Sequence, residues 1–169
     1  QCSAEVSDID QEPVDLSYLW TSSRGVSLGN SAMLSLSPRI AFVGESIACT
    51  ATATDIHDAI AQLEMTVEVE NTPPVMVEAA VIEASPAPIT TGVLECSAEY
   101  TDLDDGPLSV SFEWRGEDNA LLSSVSTYIV SAEDTETGDT LTCTASASDS
   151  QGASISSSVS ITLENSLPM

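Results

Sequence analysis

Apolar and polar residues alternate along several stretches of the chain, which is the pattern of β-strands that bury one face. The fullest example runs from Ile47 through Cys49, Ala51 and Ala53, with hydroxyl residues between them. No stretch has a convincing helical period, so the sequence predicts an all-β protein. The predicted strands are residues 2–6, 16–20, 33–36, 47–53 and 63–69, with a loop at 22–30, and then residues 75–82, 94–100, 108–114, 141–147 and 155–163.

The strand pattern occurs twice. A shift of 94 residues, with no gap, superposes Cys96 on Cys2, Trp114 on Trp20, Cys143 on Cys49, Asp102 on Asp8, Asp149 on Asp55 and Asn165 on Asn71. A tandem repeat predicts two domains, residues 1–72 and 73–169. The boundary at Asn71-Thr72-Pro73-Pro74 is predicted to be a short, stiff linker, because proline fixes φ.

The two repeats differ in one respect. Residues 75–94 of the second repeat have no counterpart before Cys2. Two interpretations stay open: these residues are a window on a longer array, or the first repeat takes its first strand from a neighbour, which would build a fibre. Both predict neighbouring copies or repeats of the same protein, head to tail.

The charge balance excludes several partners. The chain has 27 acidic residues against three Lys and Arg residues, a formal net charge of −24. Such a surface repels nucleic acid and anionic membranes. No apolar run approaches the ~20 residues that a membrane-spanning helix needs, so no membrane insertion is predicted.

Each repeat carries two cysteines on predicted strands, which favours the disulfides Cys2–Cys49 and Cys96–Cys143, each tying two sheets together. The alternatives, a zinc site or a redox pair, lack a Cys-x-x-Cys motif and a second histidine. Disulfides persist in oxidising compartments, so the pattern predicts an extracellular or cell-surface protein.

One tryptophan follows the first cysteine of each repeat by 18 residues. Trp20 and Trp114 are predicted to pack on the disulfides in the core; a solvent-facing platform for sugar is the alternative. His57 is alone in a predicted turn, and Gly-x-Ser-x-Gly is absent, so no enzyme is predicted. The Ser/Thr-rich outer faces suggest a glycan as a further partner.

The order of cysteine, tryptophan and cysteine before a terminal Asn-Thr-Pro-Pro resembles bacterial immunoglobulin-like or PKD-like repeats of large secreted or surface proteins. The phrases that carry the resemblance are Glu95-Cys96-Ser97-Ala98, Asp102-Leu103-Asp104-Asp105-Gly106, Trp114, Gly138-Asp139-Thr140-Leu141-Thr142-Cys143-Thr144-Ala145 and Asn165. The resemblance implies two tandem immunoglobulin-like β-sandwiches of a bacterial extracellular protein.

In such a sandwich, the acidic turns of one repeat lie at the same end, beside the linker. Hard oxygen ligands at a junction suit calcium, as in cadherin-like arrays. The predicted ligands are Asp102, Asp104, Asp105 and Asp149 with Glu70 and Asn71, and, in the first repeat, Asp8, Asp10, Asp55 and Asp58. Ordinary turn formation by aspartate is the alternative.

The sequence therefore predicts an architectural function: a unit of an extracellular filament, surface stalk or adhesin, arrayed head to tail. The alternative is a module of a secreted bacterial protein that binds carbohydrate or another protein through its loops.

Overall fold

The computed structural model describes residues 1–166; the last three residues of the predicted second repeat lie outside the described residues. The prediction of an all-β protein is confirmed. The strands are β1 Val14–Ser22, β2 Ser27–Gly29, β3 Ser46–Asp55, β4 Ile60–Glu68, β5 Val75–Ser85, β6 Val93–Asp102, β7 Gly106–Pro107, β8 Ser111–Arg115, β9 Leu121–Ser123, β10 Thr127–Ile129, β11 Thr140–Ser148 and β12 Ser154–Thr162.

The chain divides into two compact units, Gln1–Asn71 (unit 1) and Thr72–Met169 (unit 2). Residues 72–166 of unit 2 form two sheets. One has the order β10-β6-β5, with β7 also paired to β6, and the other has the order β12-β11-β8-β9. Every pairing is antiparallel, as expected for strands that expose one face. The Cys96–Cys143 disulfide joins β6 to β11, and therefore joins the two sheets.

The core of unit 2 lies between its sheets. Trp114 on β8 is 0% exposed and pairs directly with Cys143 on β11. Tyr100 on β6 is also buried, and its hydroxyl reaches Ser157 on β12 at 2.6 Å. Ala80 on β5 covers the same core, and its N–H donates to the Ser157 Oγ at 2.8 Å. The strand β5 thus packs against β12 of the other sheet.

Unit 1 has one sheet, with the order β2-β1-β3-β4. Its second disulfide partner, Cys2, lies on a segment outside that sheet, and the bond links it to Cys49 on β3. Trp20 on β1 pairs with Cys49, as Trp114 pairs with Cys143 in unit 2. The buried cluster is small and consists of Cys2, Trp20, Ala41, Ile47 and Cys49.

Two strand predictions in unit 1 were wrong, because residues 2–6 and residues 33–36 are not strands. Their counterparts in unit 2 are held by pairing, β6 with β5 and β10 with β6. Among residues 1–71 no strand stands where β5 stands in unit 2. One equivalent bond does form: the Cys2 N–H donates to the Ala32 carbonyl at 2.8 Å, as the Cys96 N–H does to Ser126. Alternation alone does not make a strand that lacks its neighbours.

The short strands β2, β7, β9 and β10 were not predicted. Each has two or three residues, too few for a period of two to be visible, and each exists through its pairing with a longer strand. The strand β2 lies within the predicted loop 22–30, and β8 begins at Ser111 instead of residue 108.

An ion pair holds the turn before β3 in unit 1. The Arg24 Nε donates to the Glu45 carboxylate at 2.7 Å, and the Phe42 N–H donates to the same group at 3.2 Å. The hydrogen bond from Arg24 holds the pKa of Glu45 below its usual value, against the opposing effect of burial. Arg24 also lies 4.7 Å from the centre of the Phe42 ring.

Candidate functional site

The two units differ in one sheet face, which is covered in unit 2 and exposed in unit 1. On β3, the residues whose side chains point to the core are Ile47, Cys49, Ala51 and Ala53. Their cross-strand partners on β4 are Val67, Met65, Leu63 and Ala61. Partners directly opposite in a sheet share a face. We call the four β4 residues, Ala61, Leu63, Met65 and Val67, the open face.

The open face is exposed although it is apolar. Leu63 is 61% exposed and Met65 is 66% exposed. Every residue of β4 is exposed, whereas the equivalent strand β12 alternates between exposed and half-buried residues. The sequence pattern of β4, apolar at every second position, is that of a strand with one buried face. The sequence of β4 is thus typical of a strand with one buried face, but no element of unit 1 covers that face.

Unit 2 shows what covers the equivalent surface. There, Ile155, Val159 and Ile161 of β12 pack against the buried core to which Ala80 of β5 belongs. Shifted by 94 residues, these three β12 positions correspond to Ala61, Met65 and Val67. The open face of unit 1 is therefore the surface that a strand in the position of β5 would cover.

Grooves run along the same surface. A cavity of about 430 Å³ lies between residues 5–8 and the sheet, and it is lined on the sheet side by Ala53, Ala59, Ile60 and Ala61. A second cavity of about 160 Å³ lies beside it and reaches Leu63. Small and branched apolar side chains line both cavities together with polar ones: Glu5, Ser7, Asp8 and Asp55 in the first, and Glu5 and Gln62 in the second.

The segment 1–8 forms the other wall of these grooves, and its backbone is not part of a sheet. In unit 2 the equivalent strand, β6, pairs with β5 over most of its length, with Ile82 opposite Cys96 and Val81 opposite Ser97. The counterparts of Cys96 and Ser97 are Cys2 and Ser3. In unit 1 no strand pairs with segment 1–8, whereas β5 pairs with the equivalent strand in unit 2.

The two acidic turns of unit 2 that carry predicted calcium ligands contact each other through Asp105 and Ser150. The Asp105 carboxylate accepts hydrogen bonds from the Ser150 N–H at 2.7 Å and the Ser150 hydroxyl at 2.9 Å, so the two acidic turns meet. The Asp104 carboxylate accepts from the Thr72 N–H at 2.9 Å. These contacts join both turns to the beginning of unit 2.

Two of the predicted ligands shape their own turns. The Asp102 Oδ1 accepts from the N–H groups of Asp104 and Asp105, at 2.7 and 3.0 Å. The Asp149 Oδ1 accepts from the N–H groups of Gln151 and Ala153, at 2.9 and 2.8 Å. Aspartate commonly fixes a turn in this way.

The acidic residues of unit 1 repeat the same turn geometry. The Asp8 Oδ1 accepts from the Asp10 N–H at 2.7 Å. The Asp55 Oδ1 accepts from the N–H groups of His57 and Ala59, both at 2.8 Å. Asp58 has a positive φ of 64° at the tip of this turn. The exposed His57 lies 3.4 Å from Glu12.

Glu70 and Asn71 are the last two residues of unit 1. Within residues 1–166, no group of three or more His, Cys, Asp or Glu side chains converges in an arrangement that could hold a metal ion. Calcium binding stays a prediction.

Both tryptophans lie in the cores rather than on the surface. Trp20 is 6% exposed, and its indole N–H donates to the Ser31 carbonyl at 2.8 Å. The Trp114 N–H donates to the Ser126 carbonyl at 3.3 Å. Neither ring is available as a flat platform for sugar.

The open face was not predicted, because alternation identifies an apolar face without showing what covers it. The signal for it in the sequence is the apolar residue at every second position of β4. In the described part of the chain, no helix is long and apolar enough to cross a bilayer.

No protein-family model matches the chain, and no curated protein matches it. The chain is similar to a solved structure of the three N-terminal domains of the Highly Immunogenic Outer Capsid protein (Hoc) of bacteriophage RB49. The identity is 11% and the TM-score 0.34, over 95% of this chain and 51% of that chain. The chain spans about half the length of that structure, and a similarity this slight carries no argument about its function.

Proposed function

We propose that this chain is a structural unit of an extracellular fibre, surface stalk or adhesin, built from immunoglobulin-like β-sandwich repeats arrayed head to tail. One observation carries the proposal: a repeat of 94 residues forms two units that share one arrangement of tryptophan and disulfide. Trp20 opposes Cys49 in unit 1, and Trp114 opposes Cys143 in unit 2. Repetition of a unit extends a chain and presents a surface, whereas catalysis needs one converging constellation.

The covalent and electrostatic properties support the same proposal. Each unit closes its own disulfide across a sequence separation of 47 residues, which suits an oxidising space outside the cell. A net charge of −24 with only three basic residues makes the exterior repel anionic partners and other copies at long range. Contacts between copies would then depend on specific apolar surfaces such as the open face. We propose a bacterial cell surface as the location and no catalytic activity.

Imaging of the native assembly tests the proposal. Negative-stain electron microscopy of material isolated under nonreducing conditions should show units in series, as elongated particles or filaments. Imaging at low and at high salt is a control, because salt screens the repulsion between the acidic chains and leaves the disulfides closed. Isolated single chains in the native material would contradict an architectural function and favour the alternative, a module that binds carbohydrate or protein.

We propose further that calcium stiffens the acidic turns. Supporting this, the Asp102 Oδ2 is buried without a hydrogen-bond partner, and Asp105 joins the two turns through Ser150. The melting temperature should rise in millimolar calcium and fall again with a chelator. Magnesium at the same concentration is the control for charge screening, because it prefers a smaller octahedral site. An equal response to both ions, or to neither, would show that calcium has no specific site in these turns.

A further inference from the structure

The strand β12 is the last strand of its sheet, and within residues 1–166 no strand is hydrogen-bonded to its outer side. We propose that this side of β12 pairs with the same side of β12 in a second copy of the chain. The two strands run antiparallel across a two-fold axis, so that two four-stranded sheets become one. Such a pair joins chains side by side, and therefore goes beyond the proposed head-to-tail array.

The hydrogen bonds at the two ends of the β11–β12 pair show which backbone groups of β12 point outwards. The Asp149 N–H donates to the Ala153 carbonyl at 3.0 Å, and the Leu163 N–H donates to the Asp139 carbonyl at 2.8 Å. Between them the register is unbroken, and bonded residues alternate with unbonded ones in an antiparallel pair. The even-numbered residues therefore direct their N–H and C=O groups away from β11. We call these groups the β12 edge: Ser154, Ser156, Ser158, Ser160 and Thr162.

The other edge strands of the described chain are each protected against pairing with a second molecule. The strands β2, β7, β9 and β10 have two or three residues each. The strand β5 has two register shifts and two exposed glutamates, and β4 carries Glu64 and Glu68. Short length, bulges and charge are the usual means of blocking association between edges. In contrast, β12 has nine residues in unbroken register and no charged residue, proline or glycine.

Unit 1 has the same edge with carboxylates on it. Shifted by 94 residues, Glu64 of β4 stands where unit 2 has Ser158, and Glu68 stands where unit 2 has Thr162. A symmetric pair of β4 strands would set Glu64 opposite Glu64 at the axis, and like charges directly opposite destabilise a sheet. In β12 the residue at the axis is a serine, so the two copies can approach there.

The open edge does not follow from the end of a repeat. In unit 2 the strand β5 is present, and it packs against β12 without pairing with it. In unit 1 the strand β4 is likewise the last strand of its sheet, although unit 2 follows it in the chain. An unpaired edge at this position is thus a property of both repeats, and only the second repeat leaves it without charge.

A second copy fits the β12 edge because the edge is its own complement. Paired about Ser158, it sets Ser154 opposite Thr162 and Ser156 opposite Ser160, so that all five outward N–H and C=O pairs are bonded. The side chains that meet are hydroxyls, each of which both donates and accepts. The same contact already occurs inside the chain, where the Thr144 and Ser158 hydroxyls lie 2.8 Å apart.

The test measures the mass of the full 169-residue chain by analytical ultracentrifugation at increasing concentration. It is done at physiological and at higher salt, because salt screens the repulsion between two chains of net charge −24. The mass should rise from 17.6 kDa towards twice that value. In the dimer, residue-resolved amide exchange should slow at the β12 edge and stay unchanged at the even-numbered residues of β4.

Ser158→Glu and Thr144→Glu are a matched pair of variants. Each adds one carboxylate and removes the same hydroxyl contact. Ser158→Glu sets two carboxylates opposite each other at the axis, and should raise the Kd of the dimer by about tenfold or more. Thr144→Glu leaves the two charges three strand spacings apart, about 14 Å, which exceeds the Debye length at physiological salt. It should change the Kd by less than about twofold.

Both variants are expected to fold. Unit 1 already has the equivalent of Ser158→Glu, since the Thr50 hydroxyl donates to the Glu64 carboxylate at 3.2 Å. Circular dichroism checks that each variant keeps its β-structure, so a change in the Kd reports the contact between copies.

Three results would overturn the β12 pair: a single species of 17.6 kDa up to about 1 mM in high salt, equal effects of Ser158→Glu and Thr144→Glu, or unchanged exchange at the β12 edge. A dimer that Met65→Asp on the open face abolishes, and Ser158→Glu does not, would overturn it as well. Single-file filaments in the native material without slowed exchange at the β12 edge would remove the side-by-side pair alone. Isolated pairs with slowed exchange there would remove the head-to-tail array and leave the pair.

Discussion

Replacement of Cys96 and Cys143 together by alanine lowers the free energy of unfolding of unit 2 by about 4 kcal/mol. The bond spans a sequence separation of 47 residues, and the chain-entropy relation gives about 4 kcal/mol for a loop of that length. Both cysteines are buried among apolar residues, so alanine leaves no polar group without a partner. A urea series followed by hydrogen exchange at β11 measures the loss.

The matched control is Cys2 and Cys49 replaced together by alanine, since that bond spans the same separation. Unit 1 has the smaller buried cluster, so the same loss should leave it largely unfolded in water while unit 2 stays folded. A cost below about 1 kcal/mol in unit 2 would show that the disulfide does not constrain the chain as the structure indicates.

Trp114→Ala is expected to cost unit 2 about 4 kcal/mol. The side chain is 0% exposed, it packs 6.1 Å from the Tyr128 ring, and truncation of a buried tryptophan leaves a large cavity. Its N–H bond to the Ser126 carbonyl is lost as well. The same urea series, read at β8 and β11, measures the effect.

Trp20→Ala is the matched comparison and should cost less, because Trp20 keeps 6% exposure in a cluster of five buried residues. Trp114→Phe should recover part of the loss in unit 2, since phenylalanine restores most of the buried apolar area without the N–H. Equal costs for Trp20→Ala and Trp114→Ala would contradict the view that unit 1 has the thinner core.

The long strands could be predicted from the sequence, because a period of two over eight or more residues is typical of a strand that buries one face. This holds for β3, β11 and β12, whose neighbours in the sheet are present. It fails for residues 2–6, which have the same alternation as β6 but lack the strand that pairs with β6 in unit 2. Strand formation depends on pairing partners that are distant in the sequence, and local pattern does not supply them.

The candidate site could be predicted only in part. The alternation of β4 identified an apolar face, but the exposure of Leu63 and Met65 depends on how the strands pair. The acidic turns were predicted as clusters of oxygen ligands. The structure adds that Asp102 and Asp149 hold backbone N–H groups, a function that an aspartate sequence motif cannot distinguish from metal binding.

Mapping of the disulfides in the unreduced protein tests the basic claim, that one scaffold occurs twice and each copy closes on itself. Cleavage after glutamate at acidic pH avoids disulfide exchange and separates all four cysteines. The expected products are residues 1–5 linked to residues 46–64, and residues 96–99 linked to residues 137–164. A fragment that joins Cys2 or Cys49 to Cys96 or Cys143, or free thiols at these positions, would contradict it.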